Sequence, residues 1–321
     1  MAVKVAVTDC DHANMIEEDA VFKKNGLEWK LFQCQSEEDL INNLQGVVAC
    51  CNQYAKFTNK VFDALPDLKM IVRYGVGVDN IDLEAASKHG VQVCNVPDYG
   101  TFEVADQALA LMMAIVRKVP MANEQVQKKE WDYAVMAPIQ RLSTMTVGII
   151  GLGRIGQAFA KRVHAIGCRV IGYDVYTDHL KNNAELSFIE VKSLDEVIAQ
   201  SDLISLHCGL NKDNAKMMNK ATFAKMKKGS YLVNVARGGL VDEDDLAEAL
   251  KSGQLGGAGI DVTNKEPLQG DSPLRGIPNC VITPHMAWYS VQAASDLKTK
   301  CAEEAARGAL GQKPRCPVNK I

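Results

Sequence analysis

Val147-Gly148-Ile149-Ile150-Gly151-Leu152-Gly153-Arg154-Ile155-Gly156 joins an apolar run, of the kind that forms a buried strand, to a G-x-G-x-x-G spacing that opens a helix. Such a glycine pattern is weak alone, because short glycine runs arise by chance and can serve only tight turns. Its surroundings strengthen it. A strand is expected over 147–150, a helix over 157–166 and a second strand over 169–173, with Asp174 following directly. The motif also sits mid-chain, so the roughly 140 residues ahead of it form something else.

At 321 residues the chain exceeds one ordinary core and fits two domains, which implies a cleft. The net charge is −3, and Lys and Arg are scattered without a basic run, so nucleic acid is not the expected partner and a small molecule is. No apolar run approaches bilayer length, and Met1-Ala2-Val3-Lys4-Val5 begins a strand without a charged region leading into a signal segment. A cytoplasmic protein without membrane association is expected. Of the ten cysteines, Cys50 and Cys51 are adjacent, no C-x-x-C occurs, and Cys94, Cys168 and Cys280 lie beside expected strands. They read as reduced core thiols. No His or Cys pair has zinc-type spacing, so no metal is expected.

From the N-terminus, strand-like segments (3–8, 29–34, 46–50, 70–73, 91–94) alternate with helical ones (17–25, 37–43), which predicts a parallel sheet covered on both faces. Pro97 breaks this pattern. Residues 101–117 then form a helix that is apolar almost all round, to be buried on several sides against the other domain or a second subunit, with its methionines packing rather than reacting. After the glycine motif a second alternating series has strands at 169–174, 203–206, 231–235, 257–261 and 281–283, and a helix at 244–251. About 36 residues follow His285, too few for another domain, so the chain is expected to return to the first one. The expected fold class is therefore α/β with two doubly wound parallel-sheet domains. Residues 1–98 and 287–321 form one and residues 99–286 the other as an insertion, with hinges near 97–100 and Ala287. The tail 311–321, with Pro314 and Pro317, is expected to be loosely held.

In the glycine motif Gly151 makes the turn, Gly153 lets a pyrophosphate approach the helix N-terminus, and Gly156 lets helix and strand pack closely. Asp174 stands where a carboxylate accepts hydrogen bonds from a ribose diol and repels a 2′-phosphate, which favours NAD over NADP; the alternative is an acidic strand end that merely faces solvent. Arg237, Asp261 and His285 each fall just after an expected strand, and ligands of open parallel sheets bind beyond those ends. Singly, Arg237 could be a surface charge, Asp261 a helix or turn cap and His285 a satisfied half-buried histidine. Their shared position, with Glu266 after Asp261, speaks for one site.

Asn234-Val235-Ala236-Arg237-Gly238-Gly239, the stretch from Gly257-Ala258-Gly259-Ile260-Asp261-Val262 to Glu266-Pro267-Leu268, and Thr283-Pro284-His285, together with the glycine motif, resemble the D-isomer-specific 2-hydroxyacid dehydrogenases. Arg73-Tyr74-Gly75-Val76-Gly77-Val78-Asp79-Asn80 and Asn95-Val96-Pro97 extend the resemblance over nearly the whole chain. It implies a flavodoxin-like substrate domain built from both chain ends, an inserted Rossmann NAD domain, and a homodimer formed through the NAD domain. It implies that NAD is held by Gly151, Gly153, Arg154, Ile155, Gly156 and Asp174 with His207, Val235, Ala236 and Asp261, the last on the carboxamide side of the nicotinamide. His285 would be the acid/base, since an imidazole with a pKa of about 6.5 both gives and accepts a proton near neutrality. Glu266 would pair with it, and Arg237 would grip the substrate carboxylate and carbonyl with its donor fork. The amides of Val76 and Gly77 would complete the carboxylate site. Nothing in this scheme needs a metal.

Met286-Ala287-Trp288-Tyr289-Ser290 and Asn95-Val96-Pro97-Asp98-Tyr99 resemble the branch of the C-terminal-binding proteins, NAD-dependent corepressors that keep the dehydrogenase fold. Tyr99 is similar to a substrate-side tyrosine of D-lactate dehydrogenases. Trp288 would wall the pocket or else be a hinge core residue. The expected function is reversible reduction of a small 2-oxo acid to the (R)-2-hydroxy acid. Its rivals are an NAD(H)-sensing, protein-binding regulator and a short phosphoglycerate dehydrogenase.

Overall fold

The computed structural model describes residues 4–180 and 183–321. They form two compact units, Met1–Gly100 with Ser290–Ile321, and Thr101–Tyr289. Among the described residues no helix is long and apolar enough to cross a membrane. The cysteines are free thiols, most of them buried.

The first unit carries strands β1 (Val5–Val7), β2 (Trp29–Leu31), β3 (Ala49–Asn52), β4 (Met70–Arg73) and β5 (Gln92–Cys94), all parallel and ordered β2-β1-β3-β4-β5. This is the flavodoxin-like order, whose switch point lies between β1 and β3. Val5-Ala6-Val7 and Ala49-Cys50-Cys51-Asn52 are buried throughout, as strands covered on both faces must be. Helices α1 (Ile16–Lys24), α2 (Glu37–Asn43), α3 (Asn59–Ala64) and α4 (Leu83–Lys88) connect them. Leu40 and Leu44, Val61 and Phe62, and Ala85 and Ala86 from the α2, α3 and α4 segments pack in one core with Ala6, Cys50, Ile71 and Val93 of the sheet. Ser36 and Asp39 close a capping box that fixes where α2 starts.

Two expectations for this unit are corrected. The strand expected over 46–50 runs over Ala49–Asn52, because Gly46 turns with φ +76 and the Val47 amide still donates to Leu44 O as α2 ends. The start expected at Val3 lies outside the described residues. The tail expected to be loose is pinned: Val318 N donates to Val93 O, and Asn319 Oδ1 accepts from Val93 N and Gln92 Nε2, each at 2.7 Å from the side-chain oxygen. Asn319 Nδ2 donates to Ser87 Oγ and Val91 O at 3.0 Å. The exposed edge of β5 leaves backbone groups that must be satisfied, and one asparagine matches them with both amide ends.

The second unit begins with α5 (Thr101–Val116) and α6 (Val119–Gln127) and continues β6 (Thr146–Ile150), α7 (Arg154–Ala165), β7 (Arg169–Tyr173), β8 (Ile189–Val191), α8 (Leu194–Gln200), β9 (Leu203–Leu206), α9 (Lys220–Lys225), β10 (Ser230–Asn234), α10 (Glu243–Lys251), β11 (Leu255–Ile260) and β12 (Cys280–Ile282). Its seven strands are parallel in the order β12-β11-β10-β9-β6-β7-β8, the doubly wound dinucleotide-binding order with its switch point between β6 and β9. The chain then returns to the first unit as α11 (Val291–Ala309), whose small and apolar residues Ala293, Leu297, Cys301, Ala302, Ala305 and Ala306 form a buried stripe at helical spacing.

β8 has no counterpart in the sequence reading. It is a three-residue edge strand with Glu190 and Val191 exposed, so no buried apolar run marks it. α5 is buried along most of its length but not at its start. Val104, Ala105, Ala108, Leu111, Met112, Ile115 and Val116 face the core, while Phe102 is 67% exposed.

Asn319→Ala is expected to strand the Val93 and Gln92 donors and to lower stability by about 1–3 kcal/mol. A denaturant melt checks this; an unchanged midpoint contradicts the pinning of the tail.

Candidate active site

At the switch point of the second unit the ends of β6 and β9 approach so closely that only glycine fits. Gly151 has φ +98, and a Cβ there would lie 2.5 Å from Cys208 N and 2.6 Å from the His207 carbonyl carbon. A Cβ on Gly156 would in turn overlap Gly151 O. The turn is tied to β7: Gly151 N donates to Tyr173 O at 2.8 Å and Leu152 N to Asp174 Oδ2 at 2.6 Å. Asp174 Oδ1 accepts from Tyr176 N, and the half-buried carboxylate keeps further acceptor capacity. Gly153 caps α7 with no side-chain hydrogen bond, and nothing lies within 4 Å of where its Cβ would be. Arg154 is exposed and Ile155 half-buried beside it. This leaves a helix N-terminus open to an anion, the cradle a dinucleotide pyrophosphate needs. His207 turns its ring inward: Nε2 meets Ser205 Oγ at 2.8 Å, Nδ1 is buried without a partner, and burial drops the pKa to about 3. The imidazole is neutral at any physiological pH, so its charge is not available to a ligand.

Beyond β12, His285 Nδ1 lies 2.6 Å from Glu266 Oε2, and Glu266 Oε1 accepts from Thr263 N at 3.0 Å. Burial alone would raise the Glu266 carboxyl; the hydrogen bonds from His285 and the Thr263 amide, with the charges of His285 and Arg237, bring it below its ordinary value. A carboxylate on Nδ1 leaves Nε2 as the nitrogen that exchanges a proton with a ligand. His285 is held at φ +52, a left-handed conformation costing a non-glycine residue about 1–3 kcal/mol. The turn is kept there by Asp261. His285 N donates to Asp261 O at 2.8 Å, and the Asp261 carboxylate, 2% exposed, accepts from Thr283 Oγ1, Met286 N and Ala287 N. The Asp261 carboxylate thus braces the turn that carries His285, as a turn cap does.

Beyond β10, buried Asn234 holds the next turn. Its Oδ1 accepts from Ala236 N at 3.1 Å and its Nδ2 donates to Arg237 O at 2.9 Å. Val235 is buried, Ala236 packs against the core, and Arg237 Nη1 donates to Ala236 O at 2.7 Å. Gly238 follows, and a Cβ there would sit 2.6 Å from Asn264 N, so the Arg237 turn lies directly against the loop bearing Glu266. Arg237, Glu266, Asp261 and His285 are thereby brought together. Trp288 packs half-buried on the core of this unit and edge-on to Tyr289 at 5.5 Å.

In the first unit the loop after β4 is set by hydrogen bonds to its carbonyls. Val96 N donates to Gly75 O at 3.0 Å and Asn95 Nδ2 to Val76 O at 2.7 Å. A planar trans peptide points N–H opposite C=O, so the amides of Val76 and Gly77 face away from β5, with no acceptor among the described residues. Gly75 has φ +129, and a Cβ on it would lie 3.4 Å from the Tyr99 hydroxyl, which places Tyr99 beside this loop. Asn234, Thr283 and Asn95 are bracing residues to which the sequence reading gave no role. The signal was present, since each is a short polar residue at a strand end next to a candidate group.

Residues 109–287 match the family described as D-isomer specific 2-hydroxyacid dehydrogenase, NAD binding domain. The chain is 38% identical over 310 residues to a D-3-phosphoglycerate dehydrogenase of Archaeoglobus fulgidus, covering 96% of this chain but only 58% of that protein's length. It is 36% identical over 283 residues to a hydroxypyruvate reductase of Blautia hydrogenotrophica, covering 83% of this chain and 84% of the relative. The solved structure of D-lactate dehydrogenase from Aquifex aeolicus, complexed with NAD and lactic acid, superposes with a TM-score of 0.87 at 27% identity and covers 99% of each chain. The glycine turn and open helix of the second unit are those of an NAD-binding domain, and the chain belongs to the D-isomer specific 2-hydroxyacid dehydrogenase family.

Proposed function

We propose that the chain is an NAD-dependent dehydrogenase that interconverts a small 2-oxo acid and its (R)-2-hydroxy acid, the second unit holding NAD and the first supplying substrate contacts. The observation that carries this is the His285–Glu266 pair at 2.6 Å, braced by Asp261 and adjoining the Arg237 turn at the strand ends of an NAD-binding sheet. The cofactor's pyrophosphate would rest on Gly153, Arg154 and Ile155 at the start of α7 and its ribose diol on Asp174, with Val235 and Ala236, the backbone of His207 and Asp261 along the remainder. NADH would supply the hydride to the carbonyl carbon. His285 Nε2 gives a proton to the carbonyl oxygen as it becomes a hydroxyl, and takes it back in the reverse direction. Glu266 holds the ring through Nδ1 and so leaves Nε2 for the substrate. Arg237 grips carboxylate and carbonyl through its planar fork, and the Val76 and Gly77 amides take the carboxylate oxygens. Tyr99 in the first unit and Trp288 in the second are each assigned as substrate-side residues.

Phosphoglycerate oxidation is a second reading, favoured by the 38% identity to a chain of that name. A homodimer is proposed through the second unit. α6 buries none of its residues, Trp131 and Tyr133 beyond it are 90% and 91% exposed, and Phe102 on α5 is 67% exposed. Large apolar side chains this exposed fit cover by a second copy of the chain.

His285→Ala is expected to lower kcat by roughly 10²–10⁴ while NADH still binds in titration; near-normal turnover would remove His285 from the acid/base role. Arg237→Lys is expected to raise KM for the oxo acid by roughly tenfold or more, and unchanged KM would contradict a bidentate grip. In sedimentation the protein should run as a dimer of 35.0 kDa chains, and the Trp131→Asp/Tyr133→Asp variant as a monomer. A monomeric wild-type protein would contradict the proposed interface.

A further inference from the structure

The residue between β4 and the Gly75–Val76–Gly77 loop is Tyr74, and its side chain is committed to a buried polar chain that the mechanism does not use. The ring is 2% exposed, and its hydroxyl donates to Glu18 Oε1 at 3.1 Å. Glu18 lies on helix α1 one turn before the buried Phe22; its side chain is 0% exposed and its Oε2 has no hydrogen-bond partner. The nearest cation is Lys298 of α11, with Nζ 3.6 Å from that oxygen, 5% exposed, and itself donating to Asn14 Oδ1 at 3.0 Å and Glu17 Oε2 at 2.5 Å. His12 packs edge-on against Tyr74 with ring centroids 4.9 Å apart. An apolar pair would fill the same volume without desolvating a carboxylate, so the arrangement suits fixing one geometry better than gaining stability.

We propose that Tyr74 and Glu18 are positioning residues for the substrate carboxylate. The phenol, anchored on Glu18 and through Lys298 on α11, fixes the peptide planes of Gly75 to Gly77, so that the Val76 and Gly77 amides stay aimed outward. The backbone supports the same geometry, since Tyr74 N donates to Asn52 O at 2.8 Å and Gly75 O accepts from Val96 N. This rests on the assignment of those two amides to the carboxylate, and it adds what holds them in place.

Tyr74→Phe keeps the ring and removes only the hydroxyl. A lost hydrogen bond to a buried acceptor corresponds to roughly a tenfold effect. KM for the 2-oxo acid should rise by about that factor, with kcat and NADH affinity within about twofold of wild type. Glu18→Gln keeps an acceptor for the phenol and should stay near wild-type KM, whereas Glu18→Leu should match Tyr74→Phe. In the ligand-free protein, hydrogen exchange at the Val96 amide, which reports opening of its bond to Gly75, should quicken by roughly tenfold in Tyr74→Phe. Unchanged Val96 exchange, or a fall in kcat with KM unmoved, would overturn the positioning role. Quickened exchange with wild-type KM would leave the anchor standing and overturn the carboxylate assignment instead.

Discussion

All seven strands of the second unit run the same way, so every chain crossing of the sheet ends at one edge, and the candidate chemistry depends on that constraint. Gly151 follows β6, Asp174 follows β7, His207 follows β9 and Asp261 follows β11, while Arg237 and His285 each lie three residues beyond their strands, β10 and β12. Residues spread over more than a hundred positions of sequence reach a common rim because parallel pairing leaves no alternative. The close approach of β6 and β9, possible only at Gly151, puts the nucleotide turn on that same rim.

Reaching the rim does not by itself orient a side chain, and the structure answers this with buried polar braces. Asp261 accepts three hydrogen bonds from the His285 turn, and Asn234 ties the Arg237 turn with one bond from each end of its amide. Each brace is nearly inaccessible, where an unsatisfied polar group is costly and the geometry is held accordingly. His285 can therefore occupy a strained backbone conformation without relaxing out of it. In the first unit Asn95 performs the same task for Val76, while Tyr74 approaches the loop from the buried side.

The nucleotide half was legible because its signals are local: an apolar run, three glycines at fixed spacing and an acid at the end of the next strand. Arg237, Glu266 and His285 could be singled out because each follows a strand. What stayed hidden depends on tertiary contact. Glu18 is one of three consecutive acidic residues at the start of α1, and only its meeting with Tyr74, 56 residues away, sets it apart. Asn319 looked like part of a frayed tail because its partners lie more than two hundred residues upstream. β8 was missed because an edge strand with exposed side chains has no hydrophobic period, and β3 was displaced because the turn at Gly46 extends further than the apolar run suggests. For Asp261 the strand-end position allowed both a turn cap and a ligand group, and spacing could not choose between them because it does not give the direction of the carboxylate.

A chiral analysis of the product made from a panel of 2-oxo acids and NADH, with cofactor consumption followed in the same reaction, bears most directly on the chemistry assigned to this rim. One NADH should be oxidised for each molecule of (R)-2-hydroxy acid formed, with no (S) product, for at least one member of a panel that includes pyruvate, hydroxypyruvate and its phosphate ester. Absence of turnover across the panel, or a racemic product, would contradict the dehydrogenase reading.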